Sequence, residues 1–174
     1  MTKDYRTAPV ALAADHGGFA LKEAIKAHLE SQGIAYRDFG THSTESCDYP
    51  DLAAPACDAV VAGECSVAIL CCGTGVGMSI CANKIHGIRA CCCSDTFSAE
   101  FTRRHNDANA LCMGGRVVGE GLALAIVDLF LNTPFEGGRH TRRVERSWPW
   151  KRAESVPRTA GQLNISFTNK ELPL

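Results

Sequence analysis

Several features that would assign this 174-residue chain to a specialised class are missing from it. No apolar run approaches the roughly 18 residues that a membrane-spanning helix needs, so we expect no membrane partner. The first six residues contain no apolar segment like that of a signal peptide, which favours a cytoplasmic location. Aromatic residues make up only 7%, and the net charge of −1 gives no general attraction to nucleic acid.

Cysteine is abundant, with ten residues, but the patterns that would give it a specialised purpose are missing. No C-x-x-C motif occurs, so neither a zinc ribbon nor a thioredoxin-like site is supported. Cys71-Cys72 and Cys91-Cys92-Cys93 are sequence neighbours, which rarely bridge. We therefore interpret most of the cysteines as small buried residues in a reducing compartment, with oxidative sensitivity of 91–93 as a side effect.

Short apolar runs alternate with amphipathic stretches along most of the chain. They predict strands over residues 10–14, 34–39, 66–72, 88–93 and 110–113, with helices between them and after the last strand. Continuous apolar strands alternating with helices indicate an α/β fold with a parallel sheet that is covered on both faces. We predict one domain over residues 8–147, followed by a C-terminal tail over 148–174 that lacks periodicity.

A glycine loop, Gly73-Thr74-Gly75-Val76-Gly77, lies between a predicted strand and a predicted helix. Its backbone N–H groups could turn toward an anion, although a tight structural turn would use the same glycines. The spacing fits neither a Walker A loop nor the dinucleotide fingerprint. Cys72 precedes the loop, and strand alternation predicts that Cys71 and Cys72 face opposite sides of the sheet. Cys72 is either a nucleophile or base at this loop, or a plain packed cysteine.

Histidine and arginine supply the other candidates. His105 beside Asn106 is a plausible acid or base, with a helix cap as the alternative. His16 follows the first strand and is also a site candidate. Residues 139–152 hold six Lys or Arg and one Glu, a net charge of +5. This segment is either an anion site, because arginine binds phosphate in a bidentate way, or a solvated helix face.

Seven segments taken together resemble the type B ribose-5-phosphate isomerases, a family that also contains galactose-6-phosphate isomerase subunits. The resemblance covers residues 9–147 in order, and the segments are 15–18, 48–50, 72–77, 82–84, 105–109, 115–119 and 136–140. It implies a three-layer Rossmann-like sandwich whose five parallel strands have the order 2-1-3-4-5. It also implies a homodimer or a dimer of dimers with shared active sites.

The resemblance further implies interconversion of ribose 5-phosphate and ribulose 5-phosphate with no cofactor and no metal. Cys72 would be the base that moves the proton between C2 and C1, because Met78 stands where other relatives carry a glutamate. His105 would open the furanose ring, and Thr74 would assist the proton transfer. The enediolate would be bound by Gly73, Gly75 and Gly77, and the sugar hydroxyls by Asp15, Tyr49 and Asn106. The phosphate would be bound by His16 and Arg116, together with Arg139, His140 and Arg143 from the partner subunit.

Three alternatives stay open at this point. The same chemistry could act on a hexose 6-phosphate, since pocket depth sets the chain length of the sugar. The fold could instead serve a non-catalytic sugar-phosphate sensor, although Cys72, Thr74 and His105 together argue against it. A nucleic-acid binder built on residues 139–152 lacks interleaved aromatics and any recognition motif.

Overall fold

The computed structural model describes residues 6–147, and the predicted tail over 148–174 lies outside the described residues. Five strands and six helices follow one another along this part of the chain. In chain order they are Val10–Ala14 (β1), Phe19–Ser31 (α1), Tyr36–Asp38 (β2), Tyr49–Val61 (α2), Ala68–Cys72 (β3), Val76–Ala82 (α3), Ala90–Cys92 (β4), Thr96–Asn106 (α4), Ala110–Gly114 (β5), Glu120–Asn132 (α5) and Arg139–Ser147 (α6). In the described part of the chain, no helix is both long and apolar enough to cross a bilayer.

The strands form one fully parallel sheet, and the predicted α/β Rossmann-like fold is confirmed. All five residues in each of β1, β3 and β5 are buried, as expected for strands covered by helices on both faces. Helix α1 buries Leu21, Ile25 and Leu29 at helical spacing. Gly33, with φ of 69°, follows α1 and turns the chain toward β2.

The predicted order of the last two strands is wrong. The sheet order is β2-β1-β3-β5-β4, so β5 pairs with β3 and β4 lies at the edge. Burial accounts for the difference, because the five residues of β5 are fully buried, whereas the three residues of β4 are partly exposed. The longer and more apolar strand therefore takes the central position.

The sheet separates two apolar layers. Cys71 packs with Leu12, Leu111 and the α1 and α5 side chains on one face, and Cys72 packs with Met78 and the α2 side chains on the other. This confirms the predicted opposite orientation of the two cysteines. Both are buried, with exposed fractions of 0% and 4%.

Helix α4 returns the chain from the edge of the sheet formed by the carboxyl ends of the strands to the edge formed by their amino ends. It begins after β4, where the Asp95 carboxylate caps the helix by accepting a hydrogen bond from the Ser98 N–H at 2.7 Å. It ends at Asn106 and is capped by Asp107, a non-glycine residue with φ of 46°, three residues before β5 begins. The last turn of α4 therefore lies at the amino edge of the parallel sheet.

Candidate active site

A first group of candidate residues lies where β1 and β3 end, at the carboxyl edge of the sheet. Asp15 follows β1, and its Oδ1 accepts hydrogen bonds from the N–H groups of Gly17 at 2.8 Å and Gly18 at 3.1 Å. Gly18 lies against the backbone of Cys71, where a Cβ would be 2.4 Å from the carbonyl carbon. Asp15 thus fixes a tight turn beside the end of β3, at the edge where ligands of such sheets bind.

The Cys72 thiol is held by the glycine loop itself. Its Sγ accepts a hydrogen bond from the Gly75 N–H at 3.0 Å. Gly75 has φ of 80°, and a Cβ there would be 2.9 Å from the Met113 carbonyl carbon, so only glycine fits this close approach. A backbone donor aimed at a sulfur interacts more strongly with a thiolate than with a thiol. The geometry therefore suits Cys72 for proton transfer.

Four further candidates lie in the loop or in the segments near it. The ring of Tyr49, the first residue of α2, packs on Gly77, where a Cβ would be 3.1 Å from Tyr49 Cζ. The Arg116 guanidinium lies beside Gly73, with Nη1 3.5 Å from a Cβ built there. The orientation of the His16 ring is fixed by a hydrogen bond that its Nδ1 accepts from the Cys47 N–H at 3.3 Å. Thr74 Oγ1 is 3.4 Å from the Val76 N–H within the loop. An aromatic ring and a guanidinium thus border the loop.

A second group forms around the ends of α4 and α6. The His105 and His140 rings stack in parallel with centroids 4.1 Å apart, and Glu136 Oε2 lies 3.6 Å from His105 Nε2. His140 is 6% exposed, and burial, followed by the neighbouring charges of His105, Arg139 and Arg143, lowers its pKa. A cavity of about 630 Å³ opens beside these rings and is also lined by Asn106 and Arg143. The Arg143 guanidinium gives this cavity a positive charge suited to an anion, and the two imidazoles add ring nitrogens that can form hydrogen bonds.

The two groups lie at opposite edges of the sheet. Cys72 pairs with Gly114, the last residue of β5, whereas His105 and Asn106 end the helix that leads into Ala110, the first residue of β5. The separation along the strand is therefore about 13 Å at 3.3 Å per residue. One chain does not bring the predicted base and the predicted ring-opening histidine together.

Metal ligation is a second use to consider for the second group. His105, Glu136 and His140 place their potential ligand atoms within 4.8 Å of one another. The parallel rings oppose it, because an ion in the plane of one imidazole lies well outside the plane of the other. Glu136 is also already paired with Arg104, whose hydrogen bond is the main reason that the pKa of this carboxyl is lowered. The cluster is therefore better suited to an anion than to a cation.

Sequence reasoning missed the residues that hold the second group in place. The Arg89 guanidinium donates to the backbone carbonyls of Asn106 at 3.1 Å and Asp107 at 2.8 Å, and it pairs with the Asp107 carboxylate at 2.9 Å. Arg103 approaches the other Asp107 oxygen at 3.4 Å and donates to the Ala108 carbonyl. The signal was the position of Arg89 just before β4, which places it at the amino edge beside the end of α4.

The fold and the two groups define a class of α/β enzymes that handle small phosphorylated substrates. Comparison with known proteins makes the assignment specific. The family model described as Ribose/Galactose Isomerase matches residues 10–146. Ribose-5-phosphate isomerase B of Escherichia coli is 52% identical over 136 residues, which cover 78% of this chain and 91% of that protein.

Solved structures agree. The ribose-5-phosphate isomerase B of Clostridium thermocellum is 48% identical, with a TM-score of 0.81 over 82% of this chain and 97% of that one. The corresponding enzyme of Mycoplasma genitalium, solved with bound ribulose 5-phosphate, is 36% identical, with a TM-score of 0.79 over 82% and 95% of the two chains. The chain belongs to the ribose/galactose isomerase family, and it resembles the type B ribose-5-phosphate isomerases within it.

Proposed function

We propose that this chain interconverts ribose 5-phosphate and ribulose 5-phosphate, with Cys72 as the base. The observation that carries the proposal is the Cys72 Sγ held 3.0 Å from the Gly75 N–H at the glycine loop. Similarity to named ribose-5-phosphate isomerases, one of them solved with ribulose 5-phosphate, supports the choice of substrate.

The isomerisation needs a base and fixed donors for negative charge. The Cys72 thiolate takes a proton from C2 of the open-chain aldose and returns it to C1, while the substrate passes through an enediolate. The backbone N–H groups of 73–77 and the Thr74 hydroxyl supply hydrogen bonds to the enediolate oxygens. Each well-placed donor of this kind is worth roughly 3–4 kcal/mol in other enzymes.

The remaining candidates bind and prepare the sugar. His105 transfers the protons that open the furanose ring, and Asp15, Tyr49 and Asn106 bind sugar hydroxyls. The phosphate is bound by arginine and histidine side chains at the far end of the substrate, where binding energy orients the reacting carbons. These are His16 and Arg116 of one subunit and Arg139, His140 and Arg143 of the other.

The active site is shared in a symmetric dimer. His105 stacks on His140 of its own chain, so both side chains serve the same active site. The subunit that contributes the Arg139–Arg143 segment to a site therefore also contributes His105 and Asn106. The carboxyl-edge group of one subunit then faces the amino-edge group of the other. A two-fold axis repeats this contact, so one dimer contains two complete sites.

The first experiment is ribulose 5-phosphate formation from ribose 5-phosphate by the purified chain with EDTA present. We expect activity in the parent, none in Cys72→Ala, and near-parental activity in Cys57→Ala, a matched control in the same core layer. Normal turnover by Cys72→Ala would show that Cys72 is not the base. An inactive parent that converts hexose 6-phosphates would move the substrate assignment to the longer sugar.

Subunit sharing has its own test. Cys72→Ala and His105→Asn are each inactive as homodimers in this scheme. Denaturing and refolding an equal mixture should restore about a quarter of the parental activity, because half of the dimers are mixed and each contains one intact site. If Cys72 and His105 served one site within a single chain, the mixture would stay inactive.

A further inference from the structure

One peptide group in the glycine loop joins two thiols. The N–H of the Thr74–Gly75 peptide donates to Cys72 Sγ at 3.0 Å. The carbonyl oxygen of the same peptide, Thr74 O, accepts from Cys92 Sγ at 3.7 Å, within the longer range of sulfur hydrogen bonds. The N–H and C=O of a trans peptide point in opposite directions. The two sulfurs therefore lie on opposite sides of one planar group.

Cys92 lies directly behind the loop. It ends β4 and pairs in register with Cys112, and its Sγ is 2.9 Å from the position that a Cβ on Gly75 would occupy. Its two neighbours make other contacts. Cys93 is buried in the apolar layer on the face of the sheet opposite to Cys72, and Cys91 Sγ donates to the Ala110 carbonyl at 3.4 Å. Of this run of three cysteines, Cys92 is the one that contacts the loop.

We propose that Cys92 is a positioning residue for Cys72: its S–H fixes the Thr74–Gly75 peptide so that the Gly75 N–H stays aimed at the Cys72 sulfur. This inference rests on the proposed function of Cys72 as base. A peptide that accepts at its oxygen is also polarised and donates more strongly at its N–H. Loss of the Cys92 donor leaves this peptide freer to rotate, and the Cys72 thiolate then loses part of its stabilisation.

The protonation state of Cys92 is consistent with a donor. Burial, followed by the neighbouring thiols of Cys93 and Cys72, raises the pKa of Cys92 above its ordinary value. Its S–H is therefore retained at neutral pH. A thiol that had to be nucleophilic would need the opposite environment.

The test uses two variants of nearly equal shape. Cys92→Val removes the donor, whereas Cys92→Thr replaces it with a hydroxyl of similar reach, and both side chains suit a strand. Cys91→Val, which lies on the other face of the same strand, is the control. The readout is the rate of Cys72 alkylation by iodoacetamide from pH 6 to 10, measured by mass spectrometry of the Cys72 peptide. The same proteolytic fragment contains Cys71, whose pKa burial raises to about 12. Alkylation of Cys71 therefore occurs at higher pH and can be distinguished from alkylation of Cys72.

We expect Cys92→Val to shift the midpoint of Cys72 alkylation upward by about half a pH unit, the effect of weakening one hydrogen bond to the sulfur. Its kcat should fall about threefold with KM unchanged, because a thiolate-stabilising contact acts on the proton transfer and not on substrate binding. Cys92→Thr and Cys91→Val should keep the parental midpoint.

Equal shifts in Cys92→Val and Cys92→Thr would mean that only packing matters and would overturn the proposal, as would a parental midpoint in both. Cys92→Ser, which is smaller and keeps a donor, replaces Cys92→Thr if the latter fails to fold. The alkylation readout needs no turnover. An active Cys72→Ala variant would therefore refute the base assignment without affecting the measured link between Cys92 and the Cys72 sulfur.

Discussion

Replacing Lys22 by methionine should lower the free energy of unfolding by about 3 kcal/mol. Lys22 is only 1% exposed, and its Nζ lies 2.6 Å from Asp38 Oδ2 and 2.7 Å from Glu23 Oε1. Methionine keeps the unbranched stem and removes the charge, which leaves the Asp38 carboxylate without its close partner. Removing one partner of a buried ion pair costs about 3–5 kcal/mol, and the low end applies because Lys26 Nζ still lies 3.5 Å from the carboxylate.

The loss should depend on pH. Burial alone would raise the pKa of Asp38, but the hydrogen bonds from Lys22 and the Gly40 N–H hold it below its ordinary value. A depressed carboxyl pKa stabilises the fold above the unfolded pKa of about 3.9, and the contribution disappears as pH falls through the folded pKa. In Lys22→Met the burial effect prevails and the carboxyl accepts a proton more readily. The gap in stability between parent and variant should therefore be smaller at pH 4 than at pH 7.

Urea denaturation followed by circular dichroism at the two pH values measures both effects. Lys26→Met is the matched control, since that side chain is 25% exposed and its loss should cost less than about 1 kcal/mol. The double variant Lys22→Met/Asp38→Asn should recover most of the loss, because an amide oxygen still accepts from Gly40 and no unpaired charge remains. A Lys22→Met loss no larger than that of Lys26→Met would refute the reasoning.

Two further predictions concern the site. Gly75→Ala should abolish isomerisation and lower the melting temperature, because its Cβ would be 2.9 Å from Cys92 Sγ at a φ of 80°. Gly119→Ala is the control: a Cβ there has no atom within 4 Å, so its activity and melting temperature should equal those of the parent within error. Arg89→Met should lower kcat by more than any loss of folded protein, judged from its midpoint of thermal unfolding, can explain. The reason is that Arg89 fixes the backbone of Asn106 and Asp107 beside His105. Equal kcat in variant and parent would show that Arg89 does not position the site.

Local sequence patterns predicted the elements of this fold well because each depends on nearby residues. The apolar runs over 10–14, 66–72 and 110–113 all correspond to observed strands. The exchange of β4 and β5 could not be predicted in this way. Both strands are short and apolar in sequence, and only the competition for the central place beside β3 distinguishes them.

The site was predicted unevenly for a related reason. Residues that end or follow strands, such as Cys72, Asp15 and Arg116, lie at the carboxyl edge as parallel topology requires. His105 was grouped with them in function, yet it ends a helix that follows a strand. In a parallel sheet such a helix must return to the amino edge before the next strand begins. Topology alone therefore separates His105 from Cys72, without any side-chain coordinates.

This separation gives the proposed subunit contact its chemical meaning. A monomer with both groups at one edge would leave the dimer without a catalytic purpose, whereas a monomer with the groups at opposite edges is incomplete by construction. In the proposed scheme, the positive surface of α6 and the His105–His140 stack bind the substrate of the neighbouring subunit. In the proposed dimer, a second copy supplies the thiol and the glycine loop, and symmetry makes the exchange reciprocal. If the proposed dimer forms, dimerisation is part of the catalytic mechanism, because it brings the proposed base and the proposed ring-opening group to one sugar.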